Sequence, residues 1–286
     1  MDWTERRRRF RAILAGTRCV HPASVFDAIS ARIAEDLGFE TGMFAGSVAS
    51  LVVLGAPDLI VVTLSEFAGQ AYRICRAGNL ALLVDADHGY GNALNVMRTV
   101  QELETAGVSA LTIEDTALPA GFGTPDKPRL LPIEEGVGKM RAALRARQDK
   151  LLTIVGRTSA VSISGIDDTV ARARAYEAAG VDALFFVGLK TRAQLEAIAG
   201  AVKLPILLGG AGAELSDPAY LAAQRVRICL QGHLPVMAAI CAVRDTLKAL
   251  RDGVKPKDIA GVAPEALLQQ VTRDKDYKAW TKEFLS

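Results

Sequence analysis

Apolar residues in this chain come in two alternating textures. Short runs of Val, Leu, Ile, Phe and Ala are followed by a polar turn, then by stretches whose apolar residues return every third or fourth position. The first texture predicts strands buried on both faces, the second amphipathic helices. Strands are predicted at Arg18–Val20, Thr41–Gly46, Leu80–Asp85, Ala110–Asp115, Leu151–Gly156, Ala183–Gly188, Pro205–Gly209 and Val226–Gly232. Helices are predicted at Ser24–Leu37, Ser65–Arg76, Asn92–Thr105, Ile133–Arg147, Asp167–Ala179, Arg192–Val202, Pro218–Ala223 and Pro235–Arg251. Eight strand–helix units in alternation predict an α/β fold, a parallel (β/α)8 TIM-type barrel over residues 1–286 with an N-terminal helix and a C-terminal helical extension.

Local signals agree with this division. Helices stop at Glu104-Thr-Ala-Gly107, Glu177-Ala-Ala-Gly180 and Glu35-Asp-Leu-Gly38, each glycine able to take the left-handed conformation that ends a helix. Ser65-Glu66 and Asp167-Asp168 put caps and negative charge at helix starts. At the N-terminus, Trp3, Phe10, Ile13 and Leu14 recur at helical spacing around Arg6–Arg9 and Arg11, which predicts a helix packed on the barrel with its arginines in solvent. The one long irregular stretch, Thr116–Pro132, follows the fourth strand, where a lid over the barrel mouth or a passive surface loop would sit.

Composition narrows the function. With 34 Lys and Arg against 32 Asp and Glu, the net charge is +2, so no nucleic-acid or membrane partner is expected. No apolar run approaches the roughly 18 residues of a membrane span. The chain opens on Glu5 and four arginines rather than an apolar leader. Cys19, Cys75, Cys229 and Cys241 form no C-x-x-C pair and read as reduced, mostly buried thiols of a cytoplasmic protein.

A barrel of this kind works at the C-terminal ends of its strands. Those ends carry Gly46-Ser47-Val48, Asp85-Ala86-Asp87-His88, Glu114-Asp115, Arg157-Thr158-Ser159 and Gly232-His233. On an extended strand Asp85 and Asp87 face one side, and Glu114 of the next strand can complete an acidic cluster. Hard oxygen donors without a His or Cys set fit Mg²⁺, with Mn²⁺ as an alternative. Against this, the acids could cap the following helix or pair with Arg157 or Lys139. His88 reads as a loop residue rather than a ligand. Arg157 either pairs with the acids or grips a substrate carboxylate in bidentate fashion, with the amides of Gly46, Ser47 and Val48 and the Ser47 hydroxyl on the same anion. His233 either caps the helix that follows or meets substrate. Together these describe a site for a small di-acid, such as a 2-oxo acid that chelates the metal.

These residues carry a resemblance. Phe44-Ala-Gly-Ser-Val-Ala-Ser50, Val84-Asp-Ala-Asp-His-Gly-Tyr-Gly91, Leu111-Thr-Ile-Glu-Asp115, Glu134-Glu-Gly-Val-Gly-Lys-Met-Arg141 and Arg157-Thr158 resemble the isocitrate lyase / phosphoenolpyruvate mutase superfamily over nearly the whole length. Gly91-Asn-Ala-Leu-Asn-Val-Met-Arg98 and Gly232-His233 look closest to its oxaloacetate decarboxylase branch. The resemblance implies Asp85 as the Mg²⁺ ligand, with Asp87 and Glu114 acting through water, and Ser47, Arg157 and His233 on substrate. It also implies a homotetramer whose subunits exchange their last barrel helix, and loss of CO₂ from oxaloacetate to give pyruvate through a metal-stabilised enolate. Members that release succinate carry a Cys- and His-containing loop after strand 4. Here that loop reads Leu118-Pro-Ala-Gly-Phe-Gly-Thr-Pro-Asp-Lys-Pro128, which argues against an isocitrate or methylisocitrate lyase. Strand 7 ends in Leu208-Gly-Gly-Ala-Gly-Ala-Glu214, smaller than the decarboxylase resemblance implies, so the pocket wall differs there. The alternatives are cleavage of a substituted malate or of phosphonopyruvate, and a barrel that binds a metabolite without turnover.

Overall fold

The structure, a computed structural model, describes residues 2–123 and 128–285. Eight strands run parallel in sequence order: β1 Ala23–Ser24, β2 Gly42–Phe44, β3 Leu82–Asp85, β4 Ala110–Glu114, β5 Thr153–Thr158, β6 Ala183–Phe186, β7 Ile206–Leu208 and β8 Val226–Cys229. The sheet curls into the (β/α)8 barrel. Its seam is a single parallel bridge between Val20 and Ile228, with Val20 N–H on the Arg227 carbonyl and Cys229 N–H on the Val20 carbonyl.

The first strand lies elsewhere than expected. Arg18–Val20 contributes only that bridge, and β1 starts three residues past Val20. Pro22 lies between the two segments and has no N–H to give a ladder. The chain therefore pairs with β8 before the proline and with β2 after it.

Among the described residues thirteen α-helices flank or extend the barrel: α1 Thr4–Ala15, α2 Ala28–Asp36, α3 Gly46–Ala49, α4 Leu64–Cys75, α5 Ala93–Ala106, α6 Ile133–Ala146, α7 Ala160–Ile163, α8 Ile166–Ala179, α9 Arg192–Ala201, α10 Pro218–Ala223, α11 Leu234–Arg251, α12 Glu265–Thr272 and α13 Asp274–Phe284. Gly107 and Gly180 end α5 and α8 in the left-handed conformation, as their spacing predicts. Three helix starts shift. α8 opens at Gly165, so Asp167 and Asp168 bring negative charge to its first turn but do not cap it. Asp27 rather than Ser24 opens α2, with Ser30 closing the capping box. Thr63 caps α4, where Glu66 returns the bond to the Thr63 amide.

The arginines of α1 do not form a solvated face. Arg6 and Arg7 are buried and donate to backbone carbonyls beneath the barrel. Arg6 reaches the carbonyls of Cys75 and Gly78 at 2.6 and 2.7 Å. Arg7 reaches those of Val108 and Glu104 at 3.0 and 2.6 Å and the Asp149 carboxylate at 2.7 Å. Arg11, half-buried, meets Leu151, Leu152 and Asp182. These ends of helices and strands carry free carbonyls, and multi-donor guanidiniums satisfy several at once. Arg8 and Arg9 remain exposed, as expected, although Arg9 also reaches the Asn79 carbonyl.

The cysteines are free, with Cys75 and Cys229 buried, Cys19 half-buried and Cys241 exposed on α11. Among the described residues no helix is long and apolar enough to cross a membrane. After β8 the chain changes character. α11 buries Val236 alone and exposes Leu234, Met237, Ile240, Val243 and Leu247. α12 returns to α2, where Arg273 forks onto Asp36 at 2.7 and 2.8 Å.

Candidate active site

The register of three strands assembles the site. Asp85 lies opposite Thr112, and Glu114 opposite Arg157. Cross-strand neighbours share a face of the sheet, as do residues two apart on one strand, so all four side chains project the same way. Thr112 Oγ1 donates to Asp85 Oδ1 at 2.7 Å. Arg157 Nη1 donates to Asp85 Oδ2, and its Nη2 lies 3.4 Å from Glu114 Oε2. Thr116 Oγ1 donates to Glu114 Oε2 at 3.0 Å. The Arg157 guanidinium also stands 5.6 Å from the Phe185 ring centre. So Arg157 pairs with the acids, one of its two expected roles, while its buried Nε has no partner among the described residues.

Asp87 reaches the cluster by a route that strand alternation does not describe. β3 ends at Asp85, and Asp87 has φ 47°. Its amide donates to Asp85 Oδ1 at 3.3 Å, and its carbonyl accepts from the Glu114 amide at 2.8 Å. Its carboxylate lies against Gly46, where a Cβ would fall 2.3 Å from Oδ2. Gly89, Tyr90 and Gly91 also have positive φ, so this turn needs outside support. Thr99 Oγ1 supplies it on the Gly89 carbonyl at 3.0 Å, and Lys139 Nζ on the His88 carbonyl at 2.8 Å. Lys139 therefore braces the turn and does not pair with its acids. The buried His88 ring has no partner for Nδ1, and burial with Lys139 nearby pushes its pKa down to about 4.

Negative charge is in excess here. Burial and the neighbouring Asp85 and Glu114 hold the Asp87 carboxyl well above the usual range. Burial also raises Glu114, although Arg157 opposes the shift. Burial works against the charge on Arg157, but Asp85 and Glu114 outweigh it and its pKa rises. Asp58, on the exposed loop before α4, feels the same charges without touching the cluster: partial burial and Asp85 raise its pKa, while Arg157 and His233 lower it. Nothing marked Asp58 in the sequence beyond its position in a Gly- and Pro-containing loop after a strand end.

His233 stands at the start of α11 without capping it. Its Nδ1 meets Ser24 Oγ, at the end of β1, at 2.9 Å. Burial lowers its pKa, and Asp85 and Asp58 partly offset this. Gly46, Ser47 and Val48 form the first turn of α3 directly after β2, where amides lack acceptors within the helix. The ends of the Thr116–Pro132 loop zip together through a Thr116–Leu130 bridge, with the Leu131 amide on the Asp115 carbonyl. Residues 124–127, the tip of the expected lid, lie outside the described residues.

Among the described residues no three His, Cys, Asp or Glu side chains are arranged to hold a metal ion together. Asp85 is engaged by Thr112 and Arg157, Asp87 is turned to Gly46, and Glu114 is tied to Thr116. The donor chemistry nevertheless fits a small hard cation, because all three carboxylates offer oxygen donors while Arg157 contacts only Asp85 and Glu114.

A barrel whose strand ends gather carboxylates around a guanidinium is an enzyme architecture for small anionic substrates. The chain belongs to the phosphoenolpyruvate phosphomutase family, whose profile it matches over residues 10–251. It is 62% identical over 279 residues to a protein of Bradyrhizobium diazoefficiens named oxaloacetate decarboxylase, covering 98% of this chain and 96% of that one. Among solved structures it superimposes on phosphoenolpyruvate phosphomutase from Streptomyces platensis subsp. rosaceus with a TM-score of 0.87, at 26% identity, covering 98% and 99% of the two chains. It also superimposes on a phosphonopyruvate hydrolase complex with oxalate and Mg²⁺, with a TM-score of 0.85, at 28% identity and the same coverage.

Proposed function

We propose that this chain is a carboxy-lyase that converts oxaloacetate to pyruvate and CO₂ with a divalent cation, Mg²⁺ or alternatively Mn²⁺. The observation that carries the reading is the cluster of Asp85, Glu114 and Asp87 around Arg157, in a chain so similar to proteins named for that reaction. Asp85 would hold the cation, with Asp87 and Glu114 reached through water. When bound, the ion supplies Lewis-acid stabilisation of negative charge on the substrate's ketone oxygen.

The chain's own residues supply the rest. The partnerless Nε of Arg157 has a proton to donate to the substrate's C1 carboxylate. The Ser47 hydroxyl and the first-turn amides of α3 bind the same carboxylate. His233 is assigned to the C4 carboxylate, the one that departs. The C3–C4 bond breaks, its electron pair forms the C2–C3 double bond, and the carbonyl pair moves to the ketone oxygen as CO₂ leaves; C3 of the enolate then takes a proton from solvent to give pyruvate. No base is needed for this step, in keeping with a strand-4 loop that has neither Cys nor His. Burial of Glu114 and Asp85 keeps water from screening these charges.

We infer that the active form is a cytoplasmic homotetramer whose subunits exchange α11. The four free thiols support a reducing compartment, and the uncovered apolar stripe of α11 supports the exchange.

The test is pyruvate release from oxaloacetate with and without Mg²⁺. Asp85→Ala is expected to lose at least about 100-fold in metal-dependent kcat, and His233→Ala to lose rate while still binding metal. Unchanged turnover in Asp85→Ala would reject the reading. A panel of 2-oxo and 2-hydroxy di-acids separates the relatives' reactions: pyruvate from phosphonopyruvate but not from oxaloacetate would point to a hydrolase. Ligand binding without any turnover would point to a metabolite-binding barrel.

A further inference from the structure

The hydrogen bond between Ser24 and His233 links the two ends of the barrel sheet, β1 and the turn that follows β8. Ser24 is the last residue of β1, buried, and locked on either side by Ala23 N–H on the Thr41 carbonyl and Val25 N–H on the Met43 carbonyl. Its hydroxyl therefore projects from a rigid backbone. His233 follows Gly232, which has φ 78°, and its ring makes no bond to its own helix. Among the described residues, Ser24 is its one hydrogen-bond partner.

That contact occupies Nδ1 and leaves Nε2 for the mouth of the barrel. Burial favours the neutral ring, which carries a single N–H. Asp58 and Asp85 act on the ring from the mouth side, and the substrate is a di-anion. In such surroundings a lone pair at Nε2 would face acceptors, whereas an N–H there can donate to them.

We propose that Ser24 is a positioning residue: its hydroxyl donates to Nδ1 of His233 and so fixes the ring as the Nε2–H tautomer, its donor turned to the substrate. The proposal rests on the decarboxylase reading for the identity of the substrate, but the Ser24–His233 bond can be judged without it.

Two measurements test it. The chain has only 3 histidines, His21, His88 and His233, so imidazole ¹⁵N spectra can be assigned with His→Gln variants. His233 in the intact protein is expected to show an unprotonated Nδ1 and a protonated Nε2, and Ser24→Ala to give a mixture of tautomers. In steady-state assays with oxaloacetate and Mg²⁺, Ser24→Ala is expected to lower kcat about tenfold with KM within about twofold, the pattern of a lost transition-state interaction. Ser24→Thr, which restores the hydroxyl, should recover most of that loss. In the Ser24→Ala/His233→Ala double variant the two effects should not add. Wild-type kcat and an unchanged His233 tautomer in Ser24→Ala would overturn the proposal, as would full additivity. If His233→Ala keeps full turnover, the role given to His233 fails, and the ¹⁵N spectra still decide whether Ser24 sets its tautomer.

Discussion

A methyl group added at Gly46 would land 2.3 Å from Asp87 Oδ2 and 2.7 Å from Oδ1. The backbone of Asp87 is held by its bonds to Asp85 and Glu114, so it is the carboxylate that must give way. Gly46→Ala should push the carboxylate aside and lower oxaloacetate turnover at least about tenfold, equivalent to about 1.4 kcal/mol, while the circular dichroism spectrum stays native. Wild-type turnover would show that the position of Asp87 is immaterial. The same neighbourhood shows what could be read without coordinates. Asp85, Glu114 and Arg157 were legible because a strand end and a parallel register place side chains by simple alternation. Strand alternation puts Asp87 beside Asp85, whereas in the structure a left-handed turn past the end of β3 brings it there. Asp58 and Ser24 were missed. One lies in a loop with no periodicity, and the other matters only because the barrel brings β1 beside the end of β8.

Among the elements, α1 departs most from expectation. Apolar spacing located the helix but assigned its arginines to solvent, because a charge run usually is solvated. The pattern could not reveal that the underside of the barrel offers a ring of unpaired carbonyls. Arg7→Ala would strip donors from Val108, Glu104 and Asp149 together, and is expected to cost about 2–4 kcal/mol in urea unfolding. The exposed Arg8→Ala should change stability by less than about 0.5 kcal/mol. Equal effects at the two positions would mean that the carbonyl contacts carry no weight. The first strand was displaced for a similar reason: apolar content identified Arg18–Val20, but Pro22 decides which neighbour each half of that segment can pair with. Helix C-termini fared better, because a left-handed glycine such as Gly107 or Gly180 acts within a few residues.

The assembly of the chain turns on α11. Its 18 residues bury one side chain, so most of its apolar face needs another surface. Light scattering should report a tetramer, and Met237→Glu with Leu247→Glu should lower the mass; an unchanged mass would remove α11 from the interface. Its first residue directly follows His233, whose ring is anchored to Ser24. Under the exchange proposed above, the histidine sits where the fold of one chain hands over to its neighbours. A subunit left alone would lose the grip on that helix and, with it, the fixed bearing of the ring. Catalytic competence and company are then a single equilibrium, and specific activity should fall as the enzyme is diluted toward its dissociation constant.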